Sequence, residues 1–503
     1  MQPAVSGYGA ALMLLLAACG GAATPVTTPP PTSAPVTAAA SAPTASAKPV
    51  ESAVASAKPA TSETPKPQAS GPPSSPAVAS PKPAVPSGSP GATPAPVQGK
   101  PQLQSDAQHS GRSQYAGPKQ LKLVRSLQAL APDEPATSSQ PDIQSDSAIG
   151  SDGTIYISTY AGTLMALADG SADKLDLKWQ FHIAKSSGYH SAPAIGSDGG
   201  VLLGITPNTD PKTTVYAFTA PVSGNQPQIL WQFDLGSGRS NGFAPMTSSI
   251  TVARDGTIYA ISGLGRLAAL GPDGKAKWTA QSGLSFHAAP ALAGNGTVYL
   301  PSTDGNLYAV VPPAGNAIEG AIIWKFPFGD RAGIPKAVNK AGIDNSIGSS
   351  SSPTVGPDGA IYLGANNSTF YAVNADGSQK WKFEAEPELA GIWSSSALSA
   401  DGKMIFFGAN KGGIYALNTA DGKKLWQNRL FGGSVFASPT LDKNGTLYVG
   451  TTTGHVFALD SLNGNQLSVY DAGGAVWSTP AVKPDGTLVA ANGKGLIMEF
   501  AAG

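Results

Sequence analysis

The chain has 503 residues, with 32 basic side chains balanced by 32 acidic ones, a single cysteine and 44 prolines. The charge is unevenly placed: residues 20–101 hold five lysines against two glutamates, so the remainder is mildly acidic. It lacks the basic footprint that a phosphate backbone requires, and nucleic acid is not an expected partner.

Residues 1–19 read as an export signal. Leu12–Leu16 form a short apolar core, and Leu16-Ala17-Ala18-Cys19 resembles the lipobox of bacterial lipoproteins. That resemblance implies that Cys19 becomes the lipidated N-terminus, although residues 1–9 lack the Lys or Arg usual in such signals. No other apolar run reaches the roughly 18 residues needed to span a bilayer, so the expectation is a chain anchored to a membrane without crossing it. It would face the periplasm or the cell exterior.

Residues 20–102 are dominated by Pro, Ala, Ser, Thr and Val, and Ser46-Ala47-Lys48-Pro49 recurs as Ser56-Ala57-Lys58-Pro59. So few large side chains cannot repay the entropy of ordering, so this tract reads as a disordered tether. At about 3.1 Å per residue in polyproline II, its reach is capped near roughly 240 Å.

Residues 103–503 are expected to be one all-β domain. Eight turn glycines, Gly153, Gly199, Gly256, Gly296, Gly359, Gly402, Gly445 and Gly486, recur at spacings of 40 to 63 residues, with four strand-sized segments per repeat. That period predicts an eight-bladed β-propeller of four-stranded antiparallel blades. In the reference blade, Ser438–Leu441 begins the inner strand, Asn444-Gly445 reads as a type I′ turn, Thr446–Gly450 returns, His455–Leu459 follows, and the outer strand lies near Gln466–Tyr470. The last repeat ends at Phe500 after three strands. The spare run Leu121–Leu127 is expected to supply its fourth and close the ring.

Six of the eight tryptophans, Trp179, Trp231, Trp278, Trp324, Trp381 and Trp426, fall at one position on the outer strand and read as structural packing between blades. With Asp-Gly-x-Ile-Tyr and Gly-x-x-x-Trp they resemble the PQQ-like repeat. The stretch Ala416–Trp426 is similar to the tryptophan-docking motif of that family. The resemblance is to the PQQ-like propeller lipoproteins, specifically their non-enzymatic, BamB-like branch. It implies a binding or assembly scaffold, monomeric, with a protein or an envelope glycan as partner.

The enzymatic relatives hold pyrroloquinoline quinone against a disulfide of adjacent cysteines, over Ca²⁺. Here the one cysteine is Cys19, no run of acids resembles a Ca²⁺ loop, and neither cofactor is expected. The five histidines show no metal-ligand spacing, and Glu384–Glu388 reads as a solvated loop. Neither a metal nor a catalytic residue is expected. A PQQ-dependent dehydrogenase or another propeller enzyme remains the alternative.

The longest loops, Pro327–Ser350 and Thr206–Lys212, fall on one face, a common way to build a binding surface. Nine residues before each turn glycine stand Gln144, His190, Thr247, His287, Ser350, Trp393, Phe436 and Trp477, which repeat logic places as one ring at the mouth of the central channel. Its ring-bearing members, His190, His287, Trp393, Phe436 and Trp477, are the candidate ligand or partner contacts. Packing between blades is the alternative role for them.

Overall fold

The computed structural model describes residues 100–129, 143–159, 162–183, 186–187, 191–207, 212–219, 227–237, 249–283, 288–329, 348–386 and 391–502. The signal, Cys19 and nearly all of the tether lie outside them, as do His190, Thr247, His287 and most of the two long loops.

Eight antiparallel sheets follow one another around a ring, as the glycine period predicts. Blade 7 shows the pattern: Thr440–Leu441, Thr446–Gly450, His455–Asp460 and Gln466–Asp471, from the channel outward. Blade 2 adds one short strand, Ser186–Ser187, beside its second strand. Blade 8 takes Ala481–Val482, Leu488–Ala491 and Leu496–Ala501 from the C-terminus and its outer strand, Lys122–Gln128, from the N-terminus. Leu123 pairs with Phe500 and Gln128 with Leu496, which closes the ring by hydrogen bonds between chain ends.

The first turn of each blade differs from the type I′ expectation. Asn444 is not left-handed; only Gly445 is, at φ 84°. The Gly445 N–H donates to Asp442 O and Asp442 N–H to Thr446 O, the pattern of a three-residue connection whose last residue is left-handed. The acid before the glycine therefore has another task. Asp152 Oδ1 accepts the N–H of Thr154 at 3.0 Å, and Asp255, Asn295, Asp358 and Asp485 do the same two residues on.

Four of the outer-strand tryptophans lock their blade to the next by a hydrogen bond. Nε1 of Trp231, Trp324, Trp381 and Trp426 donates to Pro272, Ala375, Thr419 and Ser461 carbonyls in the following blade at 2.8 to 3.0 Å. Their indoles lie on glycines of that blade's last turn: a Cβ at Gly422 would stand 2.6 Å from Trp381. Glycine is required there both for its left-handed φ of 71° and for this close approach. The eight principal apolar clusters each fill one wedge between adjacent blades, such as Phe370, Trp381, Phe407 and Tyr415 between blades 5 and 6.

The N-terminal segment does more than supply a strand. An inner strand is a sheet edge whose outward N–H groups need partners. The second residue of seven inner strands, Ile149, Ile195, Val252, Leu292, Val355, Leu398 and Leu441, donates in turn to Lys100 O, Pro101 O, Gln102 Oε1, Ala107 O, Gln108 O, Ser110 O and Gly111 O. Residues 100–111 thus wind past blades 1 to 7 in order and lie across the channel at its hairpin end. Lys100 and Pro101, within the stretch that composition reads as tether, are thus hydrogen-bonded into the packed domain.

Candidate functional site: the open mouth of the channel

At the other end of the inner strands, four residues before each, stands the ring of mixed side chains. Gln144, Ser350, Trp393, Phe436 and Trp477 are all half-buried, and each is flanked on both sides by buried residues of its own strand approach. In these five blades one position is therefore left partly open in an otherwise closed wall. Five residues separate Trp393 from the tied Leu398, so mouth and floor lie about 16 Å apart along an extended strand.

Below this ring runs a collar of hydroxyls. The backbone N–H of Ser352 donates to Ser395 Oγ at 3.1 Å, Ser395 to Ser438 at 3.0 Å, and Ser438 to Thr479 at 3.2 Å, each step crossing to the next blade. Thr479 N–H donates to Asp146 Oδ1 at 2.6 Å, joining blade 8 to blade 1. Ala192 and Ala289 occupy the equivalent positions in blades 2 and 4, where no such bond can be accepted. The collar holds the mouth residues at fixed height.

Three of the ring positions come together as a stack. Trp393 and Phe436 lie 4.9 Å apart at 20°, and Phe436 and Trp477 5.1 Å apart at 28°, so the rings of blades 6, 7 and 8 form a ladder. Both spacings sit inside the favourable offset-stacked range. They are neither fully exposed nor buried between sheets. Trp393 Nε1 has no hydrogen-bond partner among the described residues.

The loop that carries Phe436 also lifts Phe431, which is 67% exposed, onto the same face. Leu430 and Phe431 both adopt left-handed backbone, φ 47° and 57°, unusual for such side chains. Asn428 Oδ1 accepts Leu430 N–H at 2.9 Å, and buried Leu430 anchors the bend. Phe431 then meets His455 edge-on at 5.6 Å.

Among the described residues one group of three carboxylates converges, Asp169, Asp485 and Glu499, at the seam between blades 8 and 1. Lys483 Nζ sits between them, 2.5 Å from Asp169 and Glu499 and 3.2 Å from Asp485, and Arg125 pairs with Glu499 at 3.0 Å. Burial opposes the charge on Lys483, but these partners outweigh it and hold its pKa above the ordinary value. An ammonium already fills the position a cation would need. The Glu384–Glu388 loop reading also changes: Glu384 ends an outer strand, and Glu386 pairs with Arg429 at 2.5 Å.

A family profile described as outer membrane protein assembly factor BamB matches residues 211–318 and 310–503. The chain belongs to that family. Within the BamB fold, a crystal structure from Moraxella catarrhalis aligns with TM-score 0.53 at 16% identity, covering 76% of this chain and 99% of that one. The quinohemoprotein alcohol dehydrogenase of Comamonas testosteroni aligns with TM-score 0.58 at 12% identity, covering 81% of each chain. The computationally designed Ika8 protein aligns with TM-score 0.52 at 12% identity, covering 73% of this chain and 98% of its own. No curated protein sequence matches the chain. These structures share the fold with both a scaffold and an enzyme, so the site must decide between roles.

Proposed function

We propose that this protein is an exported, lipid-anchored member of the BamB family that acts without catalysis, as a scaffold for a protein partner at a bacterial envelope. Cys19 carries the lipid, the Pro-rich tether gives the propeller reach, and the mouth of the channel receives the partner. The observation that carries the reading is the aromatic ladder Trp393, Phe436 and Trp477, held half-open at a channel whose opposite end is tied shut by residues 100–111.

The quinone and Ca²⁺ of the enzymatic relatives do not fit these residues. The convergent carboxylates are neutralised by Lys483 and Arg125. The single cysteine cannot supply a disulfide of adjacent cysteines. The experiment has three arms. Cys19→Ser is expected to leave the membrane fraction. Cross-linking in the native cell is expected to join the loop face to a protein. Pyrroloquinoline quinone with Ca²⁺ is expected to give no dye reduction with alcohols or sugars; reduction would restore the dehydrogenase reading.

A further inference from the structure

The ladder has two ends, and its geometry limits what can bind. In a stack of three rings the inner faces cover one another, so a ligand needing a row of open faces, such as consecutive sugars, finds none there. Among the described residues, what remains is one face at each end: that of Trp393 toward blade 5 and that of Trp477 toward blade 1. Among the described residues neither tryptophan stacks on any ring other than Phe436. The next ring position beyond Trp393 is Ser350, which is half-buried and carries only a hydroxymethyl group. A fourth flat ring would continue the ladder above it.

Positive charge flanks the same ladder. Lys411 lies in the turn of blade 6 whose backbone bonds the approaches to the ladder: Asn410 N–H donates to Gly391 O, two residues before Trp393, and Lys411 N–H to Ser434 Oγ, two before Phe436. Lys494 lies in the matching turn of blade 8, where Gly493 N–H donates to Ala475 O, two before Trp477. Both lysines are exposed, and neither forms an ion pair with another described residue. One unneutralised ammonium thus stands beside the Trp393–Phe436 step of the ladder and another beside its Trp477 end.

We infer that the mouth takes a single aromatic side chain from an acidic segment of a protein partner. The guest ring stacks as a fourth rung on Trp393 above Ser350, and neighbouring carboxylates meet Lys411, with Lys494 serving the far end. This deepens the scaffold reading and rests on it. Aromatic anchors seated in well-packed pockets are frequent binding hot spots, and one ring in one slot gives a specificity that an open apolar surface would not.

The test uses the full mature chain titrated with three end-capped peptides, Asp-Asp-Phe-Asp-Asp, Lys-Lys-Phe-Lys-Lys and Asp-Asp-Ala-Asp-Asp, and with chitohexaose, followed by calorimetry and tryptophan fluorescence. The acidic phenylalanine peptide is expected to bind at least tenfold more tightly than the other two, and to weaken as salt is raised. Ser350→Trp, which fills the slot with the protein's own ring, and the pair Lys411→Glu with Lys494→Glu are each expected to weaken it at least tenfold, while Ser350→Ala leaves it unchanged. Equal binding of the basic peptide, indifference to Ser350→Trp, binding of chitohexaose alone, or silence from every probe would each overturn the inference. If the inference fails while native cross-links from the loop face persist, the scaffold reading stands; if those cross-links are absent as well, both fall.

Discussion

The two ends of the channel are built from the same eight inner strands yet are finished in opposite ways. At the hairpin end seven edge N–H groups are each given a partner by one continuous segment, Lys100–Gly111, and most of its side chains are buried. At the mouth, the repeat position changes from blade to blade, half-open, and carries rings on three consecutive blades. One end is specified by backbone need, which the segment meets with six backbone carbonyls and the Gln102 side chain. The other is free to vary because nothing in the fold depends on it, and that is where function can be placed.

The largest effect should come from removing the tied end. A chain beginning at residue 130 loses both the outer strand of blade 8 and the segment across the channel, and is expected to fail to fold cooperatively. A chain beginning at Lys100 should melt with the intact protein. Circular dichroism melts of the two truncations decide this, and an unchanged melting temperature for the shorter one would break the contrast between the ends.

Next comes the seam that the N-terminal strand completes. Glu499 is fully buried, with Lys483, Arg125 and the Thr487 hydroxyl as partners. Glu499→Leu leaves Lys483 buried with fewer counter-charges, and breaking such a pair costs about 3–5 kcal/mol. Urea unfolding should show it. Asp485 is held below the ordinary carboxylate range: burial works against this, but the Thr487 hydrogen bonds and Lys483 prevail. Its contribution is present above the unfolded-state pKa and is lost as pH falls through the lowered one. Lys483, whose pKa is raised, contributes fully below its ordinary value and loses that contribution only as pH rises past the raised one.

A comparable loss is expected at the blade junctions. Trp381→Ala removes a buried indole, its stacking on Gly422 and its bond to Thr419 O, for about 3–5 kcal/mol in the same assay.

His109 sharpens the comparison further, because it belongs to the tied segment. It is fully buried, with Nδ1 3.1 Å from Pro353 O and Nε2 3.3 Å from Thr251 Oγ1. Burial pushes its pKa down to about 4, against a small upward pull from the Pro353 carbonyl. The unfolded chain therefore binds the proton first, and stability falls as pH drops from about 6.5 to about 4, by on the order of 3 kcal/mol. His109→Gln should flatten that part of the pH–stability curve relative to the parent; parallel curves would place His109 outside the packed segment. Substitutions at the mouth should cost least. Trp477→Ala is expected to lower stability by about 1 kcal/mol, since the ring is half-buried and sits at the end of its stack.

The sequence made the blades legible because all eight repeat a turn glycine, five a tyrosine on the second strand and six a tryptophan on the outer one. Even the pairing of the Leu121–Leu127 run with the last strand could be anticipated, because a ring leaves a three-stranded blade unfinished. The course of residues 100–111 across the channel is not legible in the sequence, because their bonds to the inner strands are almost all made by backbone carbonyls, which no side-chain pattern advertises. The seam cluster was hidden for a different reason: Lys483, Asp169, Glu499 and Arg125 are distant in sequence and sit at positions that are unremarkable in other blades. At the mouth, repeat spacing placed Trp393, Phe436 and Trp477 at equivalent positions, but that they stack on one another depends on the angle between blades. The first turns show the converse. Asp-Gly and Asn-Gly spelled a turn correctly, while the loop length of three, and hence the role of the acid, was set by how the two strands register.

The central claim is that the mouth, and not the tied end, meets the partner. A photo-reactive residue placed at position 350 should give protein adducts in the native cell, whereas the same residue at position 443, beside the hairpin end, should give none. Adducts confined to position 443 would contradict the account.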